Sequence, residues 1–131
     1  MLRLRVRVCR DSCVEMLAIA NTGFIGSEPE IMLPHQVLER IVESPRLESV
    51  ERVLADGSRT VLRRTLEYLD VSAVEEDRTV GPVKAKAYVS RGGPALLNDK
   101  LLDELGIVIL SPGRGLWCFS DELGKRVRRS H

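Results

Sequence analysis

The chain is poor in side-chain amides: Asn21, Gln36 and Asn98 are the only three in 131 residues. Arginine greatly outnumbers lysine and 30% of residues are charged. That bias is associated with some heat-adapted proteins, so a thermophile is the expected source. Aromatic residues make up only 4%, too few to interleave with basic side chains as the stacking platforms of single-stranded nucleic-acid binders. Charge of one sign is lacking too. With 20 basic and 19 acidic residues the formal net charge is +1, and no global field draws the chain to nucleic acid or an anionic membrane. No apolar run approaches the roughly 20 residues needed to span a bilayer. Met1 to Arg10 alternates instead of forming a signal-peptide core. A soluble cytoplasmic protein with neither membrane nor nucleic-acid partners is the expectation.

Histidine and cysteine are equally sparse. His35 and His131 have no metal-ligand spacing to Cys9 and Cys13, so no metal site is expected. Three cysteines, the third being Cys118, do not make a disulfide framework. Cys9 and Cys13 flank a turn at Arg10-Asp11-Ser12, where a bridge is sterically conceivable, and two unpaired thiols are the expectation in a reducing compartment. Gly92-Gly93-Pro94 lacks the spacing of a phosphate loop, and no Gly-Lys-Ser/Thr follows it, so no nucleotide cofactor is expected.

What the chain does contain is strand signal. Leu2, Leu4, Val6 and Val8 alternate with Arg3, Arg5 and Arg7, the pattern of a strand with one buried face. Val14 to Ala20 returns from the turn as a second strand. Ile31-Met32-Leu33 is a short third one, ended by Pro34. Val37, Leu38, Ile41 and Val42 recur at helical spacing and predict a helix from Pro34 to Ser44, with His35 as a surface residue at its start. Ser49 to Leu54 and Arg59 to Leu62 read as a hairpin turned at Ala55-Asp56-Gly57-Ser58. Strands follow around Thr65 to Val74 and at Val83 to Val89. A second short helix around Leu101, Leu102 and Leu105 opens at Asn98-Asp99 and closes at Gly106. Ile107 to Leu110 and Leu116 to Phe119 complete the pattern. Length and composition give a single domain over residues 1–122, mainly β with two short helices, followed by a basic, solvated tail over 123–131.

The apolar run Leu17 to Ala20 ends in Asn21-Thr22-Gly23-Phe24-Ile25-Gly26, and this segment resembles the Asp-Thr/Ser-Gly-Phe-x-Gly loop of the retropepsin-like aspartic proteases. Leu96-Leu97-Asn98-Asp99-Lys100-Leu101-Leu102 through Gly106 resembles the same family's Leu-Leu-Gly-x-Asp-Leu-Leu-x-x-Leu-Gly motif. The order of strand, loop, Leu33-Pro34, helix, glycine-turn hairpin and second motif is the family's order over roughly residues 14 to 119. The resemblance implies a closed β-barrel of the acid-protease type and a homodimer with its cleft between two chains. It also implies a peptide or unfolded protein segment as substrate, with no cofactor. Asn21, Thr22 and Gly23 would then hold the catalytic position. Thr22 would bond across the dimer, and Gly23 would allow close backbone approach. Phe24, Gly26, Leu97 and Asn98 would lie at the substrate side, with Asp56 and Gly57 in the covering flap.

The departures from the family decide what is expected of the chemistry. Asn21 stands where the family has its aspartate, and an amide is no general base, so the pair of carboxylates that shares a proton and activates water is lost. Asn98 replaces a glycine and Lys100 an aspartate. The expectation is an aspartic peptidase that is inactive or nearly so. The alternative is a non-catalytic dimeric module that holds an extended peptide on the same fold.

Overall fold

The computed structural model of the protein describes residues 1–53 and 56–131. Leu54, read above as the end of a strand, and Ala55, read as the start of the hairpin turn, lie outside the described residues. The chain is mainly β. Its strands are β1 (Arg3–Cys9), β2 (Cys13–Ala20), β3 (Glu30–Pro34), β4 (Leu47–Val53), β5 (Arg59–Thr65), β6 (Leu69–Val74), β7 (Thr79–Ser90), β8 (Ala95–Leu97), β9 (Ile107–Ser111), β10 (Leu116–Phe119) and β11 (Arg128–Arg129). The two helices are α1 (His35–Ile41) and α2 (Asp99–Glu104).

Six strands close into a barrel in the order β3-β8-β2-β1-β6-β7, and the parallel β7–β3 pairing completes the ring. The alternation of β1 is realised directly: Leu4, Val6 and Val8 are buried inside while Arg3 and Arg5 face out. Leu33, Leu69, Ala87 and Leu97 fill the same interior from other strands. Two elements leave the ring. The β4/β5 hairpin extends from β7, with Val50 opposite Leu62 and Arg52 opposite Thr60. A second, three-stranded sheet has the order β11-β10-β9.

Several boundaries differ from the sequence expectation for local reasons. α1 stops at Ile41, because Val42 is already extended (φ −119°) ahead of Ser44-Pro45. The strand expected from Thr65 to Val74 is two strands. Buried Thr65 ends β5, where its hydroxyl donates to the Glu67 carbonyl and accepts from the Ala87 N–H, so the chain turns there before β6. α2 is capped as expected: the Asn98 side chain accepts from the Leu101 N–H at 2.9 Å, and Gly106 follows with φ +71°, a conformation that suits glycine.

Two expectations are corrected. Cys9 and Cys13 are not free thiols but a disulfide. They sit directly opposite each other in the β1/β2 register, with Cα atoms 4.1 Å apart, within bridging reach. The segment 123–131 is not a solvated tail. Arg128 and Arg129 pair with β10 as β11, and Arg128 is only 6% exposed. Its guanidinium donates to Asp77 at 2.8 and 2.7 Å and to Glu122 at 2.8 and 2.6 Å, and it lies 4.9 Å from the Phe119 ring centroid. A basic run alone does not reveal that two carboxylates elsewhere are placed to receive one of its members.

Among the described residues no helix is long and apolar enough to cross a membrane. No group of three or more His, Cys, Asp or Glu among them is placed to hold a metal.

The Arg128 clamp makes a pH prediction. Its hydrogen bonds hold Glu122 down to about 2 and Asp77 well below the ordinary carboxylate range. Depressed carboxylates contribute stability that is present above their unfolded values and lost as pH falls through the folded ones. Thermal melts of the intact chain should therefore lose stability from about pH 4.5 down towards pH 2. Arg128→Gln should flatten that slope and cost about 3 kcal/mol at neutral pH in denaturant unfolding.

Candidate functional site

The site is built where β2 runs out. The Asn21 N–H donates to the Leu97 carbonyl of the neighbouring β8 at 3.0 Å, fixing the strand end. Beyond it the chain folds back on its own side chain: Asn21 Oδ1 accepts the Gly23 N–H at 3.1 Å, and the Asn21 carbonyl accepts the Phe24 N–H at 3.0 Å. This is an Asx turn, which a short amide side chain makes well. Thr22 is left exposed at its apex. The far side of the loop is tied to the start of α2, where the Gly26 N–H donates to Asp99 Oδ1 at 3.2 Å and the Asp99 N–H to the Phe24 carbonyl at 3.1 Å.

Beneath the loop lies a buried polar bracket. Asn98 is fully buried and spends its whole side chain on structure. Its Oδ1 accepts from the Glu30 and Leu101 N–H groups, each at 2.9 Å. Its Nδ2 donates to the Glu28 carbonyl at 2.9 Å and to Glu30 Oε1 at 3.3 Å. The Glu30 carboxylate, 2% exposed, accepts from Arg64 at 2.9 Å, and Arg64 also donates to Glu48 at 2.8 and 3.1 Å. Burial works against the charge on Arg64, but its hydrogen bonds to Glu48 and Glu30 outweigh that and raise its pKa. The same contact lowers that of Glu48. Burial, with the Glu30 charge behind it, pushes the Tyr88 hydroxyl up. Gly26 packs so tightly on this bracket that a Cβ there would collide with the Glu30 carboxylate and the Asn98 amide.

Above the loop the β4/β5 hairpin encloses an open cleft of about 260 Å³. The loop contributes Asn21, Gly23 and Phe24, the barrel Met32 and Leu96, and the hairpin Arg52, Val53 and Leu62. Phe24 packs on Tyr88 with ring centroids 5.8 Å apart. Arg52 reaches across from β4, donating to the Tyr88 hydroxyl at 3.1 Å and to the Ile25 carbonyl.

The structure thus gathers Asn21, Gly23 and Phe24 into one cleft but not the other expected site residues. Thr22 faces a separate apolar groove shared with Ile109 and Pro112. Asp56 and Gly57 are exposed at the hairpin end and do not line the cleft; hydrogen bonds from Ser58 hold the Asp56 carboxyl below its ordinary value. Gly26 lies behind the loop. Leu97 and Asn98 are corrected outright. Both are fully buried, and because side chains alternate along a strand it is Leu96 that reaches the cleft. Arg52, Met32 and Leu62 were not anticipated. Alternation along the hairpin, which puts Val50 and Arg52 on one face, was the signal available for Arg52.

Chemically, the cleft offers an amide, apolar walls and one cation, with no carboxylate among the described residues that line it. No protein-family model matches the chain, and no curated protein is significantly similar to it in sequence.

The two asparagines should separate cleanly on substitution. Asn98→Ala strips four hydrogen bonds from buried partners and should cost about 3 kcal/mol in urea unfolding. Asn21→Ala loses one exposed turn contact and should cost about 1 kcal/mol or less.

Proposed function

We propose that the chain is a retropepsin-like protein, related to the retroviral-type aspartic peptidases but without their catalytic carboxylate, and that it holds an extended peptide or unfolded segment without cutting it. The observation that carries this reading is the position of Asn21: the end of a barrel strand, on the floor of a cleft roofed by a hairpin, with no carboxylate among the described residues that line it. The order of elements supports it, since the barrel, the loop after β2, the hairpin over it and α2 beneath it follow the family's order. An amide there keeps the Asx turn and gives up the general base.

On this reading two copies meet around their Asn21 loops. The exposure of Thr22, with an apolar groove beside it, supports that arrangement. Peptide binding needs backbone pairing and pockets, which the hairpin and cleft supply without a carboxylate.

The test compares the chain with Asn21→Asp, using an unstructured protein as substrate from mildly acidic to neutral pH and native mass measurement alongside. The expected result is a dimer in both forms and no cleavage by the Asn21 form, with cutting that appears in the Asp form and fades as pH rises. Cleavage by the Asn21 form, or a strict monomer at tens of micromolar, would sink the reading.

A further inference from the structure

Resting on the peptide-binding reading, we propose that the cleft selects an extended segment carrying a carboxylate side chain between apolar ones, and that Arg52 recognises it. Among the described residues, Arg52 is the only charged one lining the cleft. Its hydrogen bonds go to neutral oxygens, the Tyr88 hydroxyl and the Ile25 carbonyl. The carboxylate nearest it, on Glu30, stands 3.7 Å away and is already bonded by Arg64 at 2.9 Å and Asn98 at 3.3 Å. The guanidinium is therefore held in place by weak acceptors and retains donors that an incoming carboxylate would use in stronger, charge-assisted bonds. The Arg52 guanidinium lies 5.6 Å from the Tyr88 ring centroid and 5.9 Å from that of Phe24, two rings that pack on each other, so little side-chain freedom is lost when the anion arrives.

The strand that carries Arg52 also says how the ligand lies. β4 is the last strand of its sheet, and among the described residues its outer edge has no hydrogen-bonded neighbour. A peptide adding to that edge places the side chain directly opposite Arg52 on the same face, roughly 5 Å away between Cβ atoms. The peptide side chain two positions away then lies opposite Val50, which Leu62 backs from β5. An acidic side chain alternating with apolar ones complements Arg52 set beside Val50 and the apolar cleft walls of Met32 and Leu96.

The experiment uses the full chain and a fluorescein-labelled nonapeptide of alternating valine and threonine with one central glutamate, amidated at its C-terminus. Two controls replace the glutamate with glutamine, one amidated and one with a free terminal carboxylate. The glutamate peptide should bind about tenfold more tightly than the amidated glutamine peptide by fluorescence anisotropy, and the gap should shrink as salt is raised. Arg52→Gln should abolish the gap, while Arg52→Lys, which keeps a charge but not the fork, should retain part of it. Equal binding of the glutamate and amidated glutamine peptides overturns the carboxylate proposal and leaves the peptide-binding reading standing. Tightest binding by the free-terminus peptide overturns the side-chain form, because the recognised carboxylate is then a chain end. Binding of none of the three overturns the peptide-binding reading and the proposal together. Should Arg52→Gln fail to fold, the glutamate-to-glutamine ratio of the unaltered chain and its salt dependence still decide.

Discussion

A carboxylate removed from water is costly unless other groups replace the water, and Glu30 is almost wholly removed. Arg64 and Asn98 replace it, and each is committed elsewhere as well. Arg64 ties β5 to Glu48 of β4, while Asn98 caps α2 and holds the backbone at Glu28 and Glu30. The loop after β2 rests on this arrangement through Gly26, where nothing larger than a hydrogen fits. Hairpin, helix and loop are thus positioned from one buried point, and the cleft is the space they leave.

That dependence explains which parts were legible in the sequence. β1 announces itself by strict alternation, the helix caps by Asn98 and Gly106, and the hairpin by Asp56-Gly57; each is a local signal with a local cause. The barrel's closure is not local. It rests on β3 pairing with both β7 and β8, contacts between short strands whose sequences do not name their partners. The role of Asn98 was misread for the same reason. By the motif it resembles, its place is beside the substrate; in the structure one of its four hydrogen bonds caps its own helix at Leu101, and the other three go to Glu28 and Glu30 in a distant part of the chain. Arg128 inside a basic run, and Cys9 facing Cys13 across a turn, are two further cases in which residue type alone could not reveal the partner.

The two asparagines carry different structural burdens. Asn21 occupies a turn that an aspartate would also satisfy, because only its side-chain oxygen is used there. Asn98 needs both a donor and an acceptor on one short side chain, which an aspartate does not provide. Exchange with the acid would therefore spare the turn at Asn21 and deprive the buried bracket of a donor at Asn98.

The hairpin's attachment also bears on how the cleft opens. Arg64 near its base is bonded to the buried carboxylate, and Arg52 further along is bonded to the loop carbonyl of Ile25. Lifting the hairpin would break both, bare Glu30 to solvent and release the loop in the same event. Roof and floor therefore form a single cooperative unit in the sense of native-state hydrogen exchange, whose amides open together.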